Sequence, residues 1–229
     1  MDTYLETRGR LETYFDRTAA RTWEALTSDA PVSRVRRTVR EGRDEMRAAL
    51  LARLPEDLTG ARVLDAGAGA GQMAEALARR GAEVVAVDLS ASLLDVARRR
   101  IPPQIGRRIE FLVGDMLDEA LGRFDHVVAM DSLIHYRAAD AVAALGRLAG
   151  RTSRSLVFTV APSTPLLRAF WLAGQVFPRG DRSPRIAPVS EAALARLVRR
   201  APALEGFALN RRRRVGRGFY ISQAMELAR

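Results

Sequence analysis

Cysteine is absent from the 229 residues, which excludes disulfides, thiolate zinc sites and cysteine nucleophiles. Lysine is absent too. All 37 basic residues are arginine, so Schiff-base chemistry and a phosphate-loop lysine are excluded as well. Histidine is limited to His126 and His135, too few for a histidine-rich metal site. No apolar run reaches the ~18 residues of a membrane span, and the opening MDTYLETRGR is polar, so neither a transmembrane helix nor a secretory leader is expected.

What is present is ordinary globular material. Hydrophobic residues at 48% and charged residues at 28% predict a soluble, cytoplasmic, folded protein with one core domain and appended segments. The net charge of +10 is concentrated in residues 178–217, where eleven arginines meet only Asp181, Glu191 and Glu205. Arginine offers planar forks suited to carboxylates or phosphates, although GC-rich coding would give the same composition.

The hydrophobic period changes along the chain. Leu11, Tyr14, Phe15, Trp23 and Leu26, then Val35, Val39, Met46, Leu50 and Leu54, recur at helical spacing. Pro31 separates the two helices, Ser33 is placed to cap the second, and Pro55 follows it; residues 1–58 thus read as a helical cap. From Arg62 onward, short branched runs at 62–66, 83–88, 109–113, 124–130 and 155–160 alternate with helical stretches at 72–80, 90–100 and 138–149. That alternation predicts a parallel sheet covered on both faces, with a core over 59–161. Residues 162–190 form an insert, apolar with Phe170 and Trp171 and then rich in proline and arginine, read as a lid. Residues 191–229 complete the sheet, with 203–211 and 218–226 as an antiparallel pair.

Three acids fall at three successive strand ends. Asp65 precedes Gly67, Gly69 and Gly71, where glycines allow a tight turn and close approach of a ligand. A nicotinamide fingerprint would place Gly or Ala at the sixth position counted from Gly67, yet Gln72 stands there, and an acid before the glycines suits a cationic or amine-bearing ligand better than a pyrophosphate. Asp88 can accept both hydroxyls of a ribose, with Leu89 beside it. Asp115 can accept from an adenine amine while Met116 packs the base. At the fourth strand end, Met130, Asp131, Ser132, His135 and Tyr136 mark the acceptor side. Each acid alone would more often cap a helix; the set of three carries the reading.

This spacing resembles the class I S-adenosylmethionine (SAM)-dependent methyltransferases over residues 60–161. The resemblance implies a Rossmann-like seven-stranded sheet of order 3-2-1-4-5-7-6 with strand 7 antiparallel. Outside the core, TyrPhe (14–15), Trp23, 32–36, ArgGluGlyArg (40–43), 131–136 and ArgGlyPheTyrIleSer (217–222) resemble the magnesium-protoporphyrin IX O-methyltransferases of chlorophyll and bacteriochlorophyll synthesis, nearly end to end. Where that family often carries GlyHis, Gly42 and Arg43 stand here, and no role passes to position 43.

The closer resemblance implies SAM as cofactor, S-adenosylhomocysteine (SAH) as its product, a porphyrin propionate as acceptor and a magnesium ion that belongs to the substrate. It assigns His135 and Tyr14 to the acceptor, and Arg40 to the methionine carboxylate beside Asp65, Gly67, Gly69, Asp88, Leu89, Asp115, Met116, Met130 and Ser132. As partners it implies the large subunit of magnesium chelatase, a peripheral membrane contact and no nucleic acid. Two alternatives stay open on the residues alone. One is a class I methyltransferase acting on another small molecule or on nucleic acid, weakened because AspSerLeuIle replaces the DPPY or NPPY signature of N-methylation; the other is a non-catalytic or oxidoreductase nucleotide binder, against which Gln72 and the acid before the glycines argue.

Overall fold

Branched and aromatic runs form five parallel strands: Arg62–Ala66 (β1), Glu83–Asp88 (β2), Ile109–Val113 (β3), Phe124–Ala129 (β4) and Thr152–Val160 (β5). Strands that are buried on both faces carry near-continuous apolar residues, which is why these read as runs and not as alternations. The computed structural model describes residues 2–15, 34–163 and 186–229. Among them, Ala208–Arg217 (β6) and Tyr220–Ala228 (β7) complete a seven-stranded sheet of order β3-β2-β1-β4-β5-β7-β6, with β7 antiparallel to both neighbours. The order is the expected one.

Side chains alternate between two cores, as a strand's period of two requires. Leu64, Val85, Val127 and Phe158 face one core, which Asp2–Tyr14 (α1), Ala138–Ala149 (α5) and Glu191–Arg200 (α6) cover through Tyr4, Leu11, Leu145 and Leu194. Val63, Val84, Val128 and Val157 face the other, covered by Arg34–Leu51 (α2), Gln72–Arg79 (α3) and Ala91–Arg100 (α4) through Met46, Leu50, Leu77 and Ala97. β1 lies between β2 and β4, so chain direction across the sheet reverses there, and a crevice opens at the carboxyl ends of the strands.

Three expectations are corrected. The closing pair begins later than 203 and 218, because the tight turn Pro202–Leu204 and Gly206, at φ 81°, hold the chain out of the sheet until Ala208. Helix α6 was not anticipated, although Ser190 caps it and Leu194 and Val198 bury at helical spacing. β5 starts at Thr152 and not at Ser155. Pro31, Ser33, Trp23, Leu26 and most of the proposed lid, 164–185 with Phe170 and Trp171, lie outside the described residues.

Candidate active site

The turn after β1 is built by backbone hydrogen bonds that no side chain could replace. Gly67 and Ala68 N–H both donate to the Val87 carbonyl at 2.9 and 3.0 Å, so the loop folds back over the end of β2. Gly67 takes φ 87°, a left-handed value that disfavours side chains, and a Cβ there would lie 2.5 Å from Ser132 Cβ. Gly69 instead opens onto free space. Its N–H donates to Asp88 Oδ2 at 2.7 Å, while Asp88 Oδ1 accepts from Ser90 N–H at 2.9 Å. Asp88 therefore ties the glycine loop to the start of α4, where Ser90 Oγ caps Leu93 N–H. Burial lifts the Asp88 carboxyl above its ordinary range, against the pull of the Ser90, Gly69 and Leu89 amides.

Asp65 is 1% exposed, and its Oδ2 has no hydrogen-bond partner. Burial, then the nearby charge of Asp88, pushes it up to about 7 despite a hydrogen bond from Ala74 N–H. A buried carboxylate oxygen without a donor carries a desolvation cost, and a cationic or amine-bearing ligand would offset it. This orphan oxygen beside an open glycine loop fits the amino and sulfonium end of SAM.

Asp115 sits in a different setting. Its Oδ1 accepts from the Tyr4 hydroxyl at 2.7 Å and from Leu117 N–H at 2.9 Å, and its Oδ2 faces Arg8 Nη1 at 3.0 Å. Burial works against ionisation here, but the Leu117 amide, Tyr4 and Arg8 together hold the carboxyl below its ordinary range. Tyr4 also stacks on Tyr136, ring centroids 4.8 Å apart. Burial raises both hydroxyls, that of Tyr136 to about 12, so both stay protonated as donors. The expected adenine acid is thus also the anchor of α1, with room at Oδ2 for one more donor.

At the end of β4, Asp131 is the non-glycine residue with positive φ, 58°, among the described residues. Its N–H donates to Thr159 Oγ1 at 2.7 Å, and its carboxylate accepts from Tyr220 Oη at 3.0 Å and faces Arg43 Nη1 at 3.2 Å. A short turn, Leu133–His135, follows and presents His135, 6.1 Å from the Phe15 ring. His126 is buried inside β4 with Nδ1 2.8 Å from Ser155 Oγ, in keeping with a structural role.

One cavity of about 300 Å³ unites these features. Of the expected residues, Asp65, Gly67, Gly69, Asp88, Leu89, Asp115, Met116, Met130, Ser132 and His135 all line it. Tyr14 and Arg40 do not. On α1 the inward face runs through Tyr4, Leu11 and Phe15, so the wall residue is Phe15, against whose ring Tyr14 packs edge-on at 5.2 Å. On α2 the face runs Val39, Arg43, Arg47, and Arg40 lies about 60° round the helix from its centre. Sequence reasoning also missed Tyr4, Arg8, Phe219 and Tyr220. The spacing 4, 8, 11, 15 was available as a signal for the first two, and the hairpin motif at 217–222 for the others.

Among the described residues, no three histidine or carboxylate groups gather as a metal site, and no helix is long and apolar enough to cross a membrane. An expected consequence of the Asp88 geometry is that Asp88→Ala weakens SAM binding by ~1.5–3 kcal/mol, as for charged hydrogen bonds, and loosens the Gly69 loop. Calorimetry with SAH checks it; unchanged affinity would remove Asp88 from the site.

Comparison with known proteins adds an independent line. Residues 129–229 match the family described as magnesium-protoporphyrin IX methyltransferase C-terminus, and residues 63–153 match a methyltransferase domain. A magnesium-protoporphyrin O-methyltransferase of Rhodobacter capsulatus is 56% identical over 97% of both chains. The chloroplastic magnesium protoporphyrin IX methyltransferase of Arabidopsis thaliana is 30% identical over 93% of this chain and 68% of its own. The crystal structure of magnesium protoporphyrin IX methyltransferase from Synechocystis PCC 6803 with bound SAH superposes with a TM-score of 0.81 at 28% identity, covering 97% of this chain and 99% of that one. The likeness spans the cofactor loop, the α1 and α2 segments and the closing hairpin alike, and on it the chain belongs to the magnesium-protoporphyrin O-methyltransferase family.

Proposed function

We infer that this enzyme transfers the methyl group of SAM to a propionate carboxylate of magnesium-protoporphyrin IX, giving the monomethyl ester in chlorophyll or bacteriochlorophyll synthesis. The observation that carries the reading is the 56% identity along almost the whole of the Rhodobacter protein, acceptor side included. Bound SAM supplies a methyl group on a sulfonium centre, which an ionised oxygen can take without loss of a proton.

A propionate of reference pKa near ~4.3 is already ionised at pH 7, so the chain need supply no general base. Its task is to hold, orient and dry the two charges. Asp65 receives the cofactor's amino end beside the open space at Gly69, Asp88 its ribose, and Met116 its base. Tyr4, stacked on Tyr136 and bonded to Asp115, closes that end against water. Arg43, paired with Asp131 at 3.2 Å, and Arg47, paired with Asp44 at 2.7 Å, line the wall on the acceptor side. A cavity of this size suits one ligand of cofactor dimensions, which leaves the macrocycle at its mouth. His135 is assigned to orienting the propionate or its magnesium.

Titration with magnesium deuteroporphyrin in the presence of SAM tests the reading. A shifted Soret band and a monomethyl ester are expected; neither appearing would overturn it. The His135→Ala variant should retain measurable turnover, with the wild-type pH dependence of kcat at saturating SAM and a uniform loss of rate. If wild-type kcat instead rises through ~6.5 and the variant lacks that rise, a neutral His135 is required and the base-free mechanism fails.

Two finer assignments complete the proposal for an enzyme working in the cytoplasm. A poorly soluble porphyrin calls for handover from the large subunit of magnesium chelatase, and the charge of +10 supports peripheral contact with anionic membranes. Absence of co-elution with that subunit, or of flotation with anionic vesicles, would withdraw each.

A further inference from the structure

Phe219 is the most exposed large apolar side chain among the described residues, at 72%, and it lines the mouth of the cavity. Its placement is not slack. Gly218 and Phe219 form the two-residue loop between β6 and β7, closed by the pair Arg217 and Tyr220. Gly218 takes φ 56°, as the first central position of such a tight hairpin demands.

The hairpin is locked onto α2 at several points. A Cβ on Gly218 would lie 2.5 Å from Thr38 Oγ1, and a Cβ on Gly42 would lie 2.6 Å from Tyr220 Cδ1, so the two elements meet through missing side chains. Arg217 Nε bonds Glu45 Oε2 at 3.0 Å, and Tyr220 Oη bonds Asp131 Oδ1 at 3.0 Å. Thr38, Gly42 and Glu45 stand on one face of α2, which grips the hairpin along its length. All of these contacts fix the loop, and none of them buries the Phe219 ring.

An exposed aromatic ring on a fixed loop at a cavity lip offers a flat apolar occupant a surface to stack on. Ile186, 42% exposed, borders the same cavity, and Arg43 and Arg47, paired with Asp131 and Asp44, also line it. We propose that Phe219 is the platform on which the porphyrin macrocycle stacks, held at the lip by the Gly42 and Gly218 contacts so that a propionate reaches inward past it. This rests on the assignment of magnesium-protoporphyrin as substrate. Stacking of the Phe219 ring on one face of the macrocycle is the chemistry that recognises it.

Phe219→Ala and Phe219→Trp in the full-length chain test the platform, with Soret titration of magnesium deuteroporphyrin at saturating SAH and steady-state kinetics with SAM. The Ala variant is expected to raise the porphyrin Kd and KM about 10-fold or more, with kcat changed far less. The Trp variant should stay close to wild type, and SAH affinity and the thermal midpoint should be unchanged in both. Wild-type porphyrin affinity in Phe219→Ala would overturn the platform, and so would an equal loss of SAH affinity, which would mark a structural role. Unchanged porphyrin binding with lost flotation on anionic vesicles would assign the ring to a membrane instead. If wild-type enzyme itself gives no Soret shift, the substrate assignment falls and not the geometry of the lip.

Discussion

Asp65→Asn is expected to strengthen the ligand-free fold at alkaline pH and to weaken cofactor binding, two effects of opposite sign from one atom. The Asp65 carboxyl is pushed up to about 7 from an ordinary 3.8, so folding favours its neutral form. The stability this confers is complete below about 3.8 and is lost as pH rises through about 7. Above that, the wild-type fold carries a buried, incompletely bonded carboxylate at a cost of up to about 4 kcal/mol, at 1.36 kcal/mol per pKa unit. The amide avoids that cost.

A cation beside Oδ2 reverses the preference, so cofactor binding should release a proton below pH 7, and wild-type affinity should climb with pH until Asp65 is ionised. In the Asn variant affinity should fall by roughly 10- to 100-fold and lose that dependence. Denaturant unfolding at pH 5 and pH 8, with SAH calorimetry in two buffers of different ionisation enthalpy, reads both. Identical pH profiles in the two proteins would sink the assignment of Asp65 to the cofactor's amino end.

Gly67→Val should do more damage than any acid replacement. The substituted residue would be held at φ 87° and its Cβ forced to 2.5 Å from Ser132 Cβ. Left-handed backbone costs about 1–2 kcal/mol in an ordinary residue, more when branched, and the overlap adds roughly 1–3 kcal/mol. The loop cannot yield towards β2 without losing the bonds to Val87 O, so Ser132 and the turn carrying His135 must move. SAM binding should drop at least ~100-fold, with a lower unfolding midpoint. The double variant Gly67→Val with Ser132→Gly should recover the overlap but not the backbone cost. No recovery would mean that strain alone acts; undiminished SAM binding in the single variant would remove this loop from the cradle.

The acids and glycines that line the cavity beside β1 and β2 were legible because their contacts are local. Asp65, Gly67, Gly69 and Asp88 lie within one strand–turn–helix–strand unit, where turn chemistry and strand ends dictate position before any distant packing matters. The acceptor wall was less legible because it depends on how helices rotate against the sheet. Arg40 and Arg43 both sit on a basic, amphipathic helix, and only the burial of Met46 and Leu50 decides that Arg43 turns inward. Tyr14 and Phe15 pose the same problem: adjacent aromatics on a helix cannot both face the cavity, and it is Phe15 that continues the row through Tyr4 and Leu11. Asp115 was read as a base-binding acid, and its bonds to α1 could not be seen from a strand end. The hairpin at 217–222 was noticed as a pattern, but its meaning lies in the approach of Gly42, far away in sequence.

Sequence separation divides the site in two. Gly69 and Asp88, on the glycine-loop side, are 19 positions apart, whereas Tyr220 and Asp131, at the end of β4, are 89 apart, and Tyr4 and Asp115, which join α1 to the expected adenine end, are 111 apart. The first half is a self-contained cassette that any sheet of this order can carry unchanged. The second is assembled from both flanks and the closing hairpin, and of it the Tyr220–Asp131 part can be rebuilt without touching the first. Substitutions that retune the acceptor should therefore accumulate in α2 and the β6–β7 loop, while the cassette stays portable between enzymes of different substrates.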